Sequence, residues 1–281
     1  MRWKGRRQSS NVEDRRGVSG KGIALGGGGL GILVLIGAVL FCGADPQSLL
    51  RQTSQGGNQP SRNQTQNRAS GSEDELKKFA STVLATTEDV WKDVFRKNNL
   101  RYREPTLVLF TNKVRSACGF ASSATGPFYC PGDNKLYLDF AFFRELQNQF
   151  KAPGDFAAAY VIAHEIGHHV QNQLGTMAKV TRAQARGGKT RANQLSVRLE
   201  LQADCFAGIW AAAVKEKGLL DVGDAEEAIR AAAAVGDDMI QKRARGYVVP
   251  ESFTHGSAKQ RVTWYSKGFN TGDVRQCRTF E

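Results

Sequence analysis

The feature that most constrains this chain is the pentad His164-Glu165-Ile166-Gly167-His168. It lies within residues 155–172, where Tyr160, Val161, Ile162, Ile166 and Val170 follow helical spacing. On a helix, positions i and i+4 lie one above the other on a single face. Both imidazoles can therefore reach one metal ion, while Glu165 is turned about 100° from His164 and can contact a water on that ion. Zinc chemistry needs three protein ligands and one open position. The ion lowers the pKa of its water toward about 7, and a carboxylate then removes a proton. His164 and His168 are the expected ligands and Glu165 the expected general base. His169 points elsewhere and is read as structural.

The third ligand has to come from another element. Residues 194–216 read as a second long helix that carries Glu200 and Asp204, again four apart on one face. Their neighbours Leu199, Ala203, Phe206, Ala207 and Trp210 are apolar, so this carboxylate pair is expected to be half-buried and in need of a partner. Glu200 is the expected third ligand. Asp204 is expected to accept the free N–H of a ligand histidine and so fix its tautomer.

Residues 23–41 carry no charge, and nineteen helical residues cover about the 30 Å hydrocarbon core of a bilayer. Seven basic residues precede this run (Arg2, Lys4, Arg6, Arg7, Arg15, Arg16, Lys21) against Glu13 and Asp14 alone. The positive-inside rule then puts the N-terminus in the cytoplasm and the remainder outside. A cleaved signal peptide is the competing reading, disfavoured by the long n-region with its two acids. A lipid anchor at Cys42 is disfavoured by the bulky Phe41. The match to a dinucleotide-binding fingerprint at Gly26, Gly28 and Gly31 lacks its strand and βαβ context and is set aside. The net charge of +12 is partly concentrated beside this run and lacks the interleaved aromatics of a nucleic-acid surface, so no nucleic-acid partner is expected.

Four units follow: a basic cytoplasmic segment at 1–22, a transmembrane helix at 23–42, a flexible polar linker at 43–72 and a globular domain at 73–281. Within the domain, helices are expected at 73–97 and about 223–243, and strands at Thr106–Thr111 and around Leu136-Tyr137-Leu138. Residues 118–133 read as a loop. The strand containing Tyr137 is expected to form a sheet edge on which an extended peptide lies. Residues 172–199 hold six basic residues and no acid, as a mobile cover for a cleft, a contact with anionic lipid or a merely solvated loop. Cys118, Cys130, Cys205 and Cys277 are an even set, as in an exported domain with two disulfides. By locality Cys118 pairs with Cys130 and Cys205 with Cys277, although four cysteines allow three connectivities.

The pentad followed by a helix bearing Glu-x-x-x-Asp resembles the gluzincin metallopeptidases. The opening residues 1–17, the stretch HEIGHHVQNQLG and the stretch RLELQADCFAGIWA are similar to a bacterial group of neutral zinc metallopeptidases. The resemblance implies Zn²⁺, peptide hydrolysis and an α+β, helix-rich zincin-like domain behind one membrane helix, on the extracytoplasmic side. The rival reading is a silent zincin-fold scaffold. Thr254-His255-Gly256 with Arg261 is similar to a Thr-His-Pro…Arg stretch of membrane-bound metallopeptidases, with Gly256 in place of the proline. By that resemblance His255 steadies an oxyanion, and Arg261 holds substrate or pairs with a carboxylate.

Overall fold

A computed structural model describes residues 1–17 and 66–281. The expected membrane helix and most of the expected linker lie outside these residues. Among the described residues, no helix is long and apolar enough to cross a membrane.

The architecture is α+β with helices dominant. Strand β1 (Val12–Asp14) precedes helix α1 (Gln66–Lys97), which begins before the expected position. Then come β2 (Thr106–Phe110), β3 (Lys113–Ser116), β4 (Gly119–Ser122), β5 (Phe128–Cys130), β6 (Lys135–Asp139) and the short helix α2 (Ala141–Asn148). The expected loop at 118–133 thus holds two short strands, β4 and β5. The main sheet has the order β1-β2-β6-β5, with β1 and β6 parallel to β2 and β5 antiparallel to β6. β3 and β4 form a separate hairpin. Strand β2 is apolar on both faces: Leu107 and Leu109 join the main core, while Val108 and Phe110 join a second cluster with Val114 and Tyr137. This is the pattern of a strand covered on both sides.

One consequence corrects a sequence expectation. β6 lies between β2 and β5, so it is not an edge. Tyr137 is buried, stacks on Phe128 and donates its hydroxyl to Asp133 at 2.7 Å. It has no face to offer a substrate. The sheet edge on that side is β5.

Six more helices follow among the described residues: α3 (Asp155–Gln173), α4 (Thr176–Ala185), α5 (Lys189–Glu216), α6 (Asp224–Ala234), α7 (Asp237–Arg245) and α8 (Ala258–Thr271). The basic stretch 172–199 is therefore mostly helical. The single helix expected over 223–243 is two, because Gly236 breaks it where the backbone meets α8. A Cβ there would lie 2.3 Å from the Ala258 nitrogen. Helices α5 and α8 pack backbone to backbone through Gly208 and Gly268. A Cβ on Gly268 would stand 2.0 Å from the Cys205 carbonyl oxygen. Disulfides join Cys118 to Cys130 and Cys205 to Cys277.

The largest departure is at the N-terminus. Residues 1–16, expected as a separate cytoplasmic segment, are built into the domain. β1 pairs in register with β2, Val12 opposite Leu107 and Asp14 opposite Leu109. The Ser9 hydroxyl and the Asn11 amide donate to buried Glu88, as does Arg7. The α-amine of Met1 is buried 2.8 Å from Asp155 and 3.1 Å from Asp224. Arg2 pairs with Asp221, and Arg16 with Asp14. The basic residues that read as a topology signal largely have acidic partners in the fold.

Candidate metal centre

The site forms where α3 crosses α5. Gly167 permits the approach: a Cβ at that position would lie 2.9 Å from the Ala203 carbonyl oxygen. The crossing sets the Glu200 carboxylate between the two imidazoles. His164 Nε2 is 3.1 Å from one carboxylate oxygen and His168 Nε2 is 3.3 Å from the other. A tetrahedral zinc with ligands at about 2.1 Å would hold its ligand atoms about 3.4 Å apart. Three ligand atoms of His164, His168 and Glu200 lie within 4.8 Å of one another, so the trio can hold a metal ion.

Each imidazole is fixed through its other nitrogen. His164 Nδ1 lies 2.9 Å from Asp204, and His168 Nδ1 lies 2.9 Å from the Gln171 side-chain oxygen. Both Nε2 atoms are thereby left to face the ion. Gln171 is fully buried and is itself held by donating its amide to the Leu199 carbonyl oxygen. The sequence reading missed it; its position three residues after His168, one turn on, is the only local signal.

Asp204 is fully buried and has a partner on every side. It accepts from the Tyr160 hydroxyl at 2.5 Å and from Arg261 at 2.8 and 3.0 Å, besides its contact with His164. Arg261 is also buried; its Nη1 donates to the Val235 carbonyl oxygen and its Nη2 to the Tyr160 hydroxyl. Of the two roles expected for Arg261, the structure takes carboxylate pairing; holding a substrate is corrected, because the guanidinium has no open side.

Glu165 is buried, and its carboxylate accepts the Tyr129 backbone N–H at 2.8 Å. Tyr129 belongs to the edge strand β5, and its hydroxyl contacts His169, Asn172 and Asn134. This residue rivets the edge strand to the pentad helix. His169 is held in the same network, with its Nε2 donating to the Arg103 carbonyl oxygen at 2.7 Å. Burial lowers its pKa to about 4, so it stays neutral.

The charges around the trio are strongly coupled. Desolvation lowers the His164 pKa, but Asp204 and Glu200 outweigh it and push it up to about 9. Burial raises the Glu200 pKa, but His168 and hydrogen bonds from His164 and His168 hold it well below the usual range, with His255 adding to the effect. Burial raises the Glu165 pKa, opposed by the two histidines. A metal ion would replace the protons that these histidines otherwise attract.

His255 stands beside this cluster and is partly exposed. Its Nδ1 is 3.2 Å from Asp237. Asp237 also accepts the backbone N–H groups of Thr254, His255 and Gly256, which shapes the turn that presents the imidazole. Gly256 sits against Val197 and Leu201 of α5, three residues before Glu200 and one after it. Asp237 is a second residue that the sequence reading missed.

A family model described as putative neutral zinc metallopeptidase matches residues 1–280. The uncharacterized protein YpfJ of Escherichia coli is 46% identical over 289 residues, covering 100% of this chain and 99% of its own length. An uncharacterized protein of Mycobacterium tuberculosis is 44% identical over 212 residues, covering 70% of this chain and 69% of its own. No solved structure matches.

Proposed function

The chain belongs to this zinc metallopeptidase family, and from that premise we propose that it is a gluzincin-type zinc peptidase that hydrolyses peptide bonds in peptides or proteins. The observation that carries this reading is the Glu200 carboxylate, 3.1 and 3.3 Å from two Nε2 atoms that are each oriented from behind. His164, His168 and Glu200 would hold the ion. Zinc supplies Lewis acidity, which polarises a carbonyl and makes water nucleophilic near neutral pH.

The chain's own groups do the rest. Glu165 takes the proton of the attacking water and later delivers it to the leaving nitrogen. Burial favours its neutral form, which suits a group that must first gain a proton and then give it up. The edge strand β5 gives an extended peptide a backbone to lie along, and the Tyr129 N–H fixes the base beside it. His255, steadied by Asp237, donates toward the oxyanion of the tetrahedral intermediate. Two disulfides support an oxidising, extracytoplasmic location. The uncharged run at 23–41 supports attachment to the bacterial cell membrane.

Zinc content of the purified full chain tests the ligand set. One ion per chain is expected in the wild type and none in Glu200→Ala. Full occupancy in Glu200→Ala would remove Glu200 from the set.

A further inference from the structure

We propose that residues 1–16 and the metal-site domain lie on the same side of the membrane. The location of the metal site outside the cytoplasm and the attachment itself rest on the reading above. The shared side rests on the fold alone.

The sheet carries the argument. β1 is bonded to β2 over Val12–Asp14, and the hydrogen bonds continue on both sides, from the Leu107 N–H to Asn11 and from the Arg15 N–H to Leu109. Glu13 reaches across β2 to Lys135 of β6 at 2.5 Å. These contacts cannot span a hydrocarbon layer of about 30 Å. If residues 1–16 were withdrawn to the far side, Glu88 would lose the donors Arg7, Ser9 and Asn11, and Asp224 would lose the Met1 amine. With the segment docked the two side chains are 2% and 5% exposed, so the segment supplies their partners as well as their cover.

The N-terminal segment is held on α1 as well. The Arg16 guanidinium donates to the Glu73 carbonyl oxygen at 3.1 Å, and Lys77 donates to Asp14 at 3.0 Å. The positive-inside rule loses its force here, because Arg2, Arg7, Arg15 and Arg16 are paired with acids of the folded unit.

The test uses the full chain in cells, with Cys42→Ser and one new cysteine at an exposed position. Ser10→Cys reports on the N-terminal segment and Lys242→Cys on the domain, both exposed. A membrane-impermeant maleimide is applied before and after lysis. Equal labelling of the two in intact cells is expected, and labelling of both would also place them outside the cytoplasm. Protection of both would keep the shared side and overturn the external location. Labelling of one with protection of the other would overturn the proposal. Tryptic nicking between Arg51 and Arg68 in detergent gives a check that needs no new cysteine. The N-terminal fragment should co-elute with the domain in native buffer and part from it in urea; parting in native buffer would contradict the docking. Membrane attachment is read separately by sedimentation after alkaline carbonate, where release would overturn the attachment and leave the shared side standing.

Discussion

Replacing Arg261 by methionine tests how the metal site is supported from behind. The change keeps an unbranched apolar stem and removes the guanidinium with its charge. It leaves Asp204, which is fully buried, without the two-pronged donor at 2.8 and 3.0 Å. Removing one member of a buried ion pair costs about 3–5 kcal/mol, because the other charge stays buried. For a folded unit of this size, about 2–4 °C of melting temperature is lost per kcal/mol. The expected drop is therefore about 6–20 °C. Calorimetry should be run with chelator present, so that metal binding does not mask the loss. Arg261→Lys, which keeps a charge and loses the fork, should fall between. The double variant Arg261→Met with Asp204→Leu should recover part of the stability, since no buried charge remains, yet bind zinc more weakly because His164 has lost its acceptor. A melting temperature unchanged in Arg261→Met, with a raised KM, would refute this reasoning and return Arg261 to the substrate cleft.

Two further predictions follow from the geometry. Gln171→Leu removes the acceptor behind His168 and should weaken zinc affinity roughly 10–100-fold, measured by competition with a chromophoric chelator; unchanged affinity would mean that Gln171 does not orient the ligand. Docking of the N-terminal segment should be flat from about pH 4 to pH 8 and weaken outside it. Arg16 and, from α1, Lys77 hold the Asp14 pKa below its usual 3.8; the Lys77 contact joins the segment to the domain, so its contribution is complete above 3.8 and is lost as pH falls through the lowered value. Burial lowers the Met1 amine pKa, but Asp155 and Asp224 outweigh it and raise it above 8.0, so that contribution is complete below 8.0 and is lost as pH rises through the raised value. Release of the nicked fragment between pH 5 and 7 would contradict this assignment.

What could be read from the sequence was local. The histidine pair and the Glu200/Asp204 pair each obey an i, i+4 rule that a helix enforces by itself, and the structure brings all four side chains together. The helices of 155–172 and 194–216 announced themselves by period. Support from distant segments was not legible. Val12-Glu13-Asp14 has no strand pattern of its own, and its pairing is supplied by β2 more than ninety residues later. Tyr129 and Asp237 act on backbone groups or on residues far along the chain, so no spacing marks them. Arg2 and Arg7 look like part of a topology signal because their acids, Asp221 and Glu88, lie far along the sequence. One signal was present and misread: Leu136-Tyr137-Leu138 is an unbroken apolar run, which marks an inner strand and not an edge. The domain boundary expected at residue 73 has a practical consequence as well, since a fragment cut there lacks β1 and leaves Glu88 unpaired.

The most direct measurement compares the full-length wild type with Glu165→Gln, each assayed for zinc content and for cleavage of unfolded casein, with and without chelator. The account predicts one zinc per chain in both, with chelator-sensitive cleavage by the wild type alone. Cleavage by Glu165→Gln at the wild-type rate, or a folded wild type that binds no zinc, would contradict it.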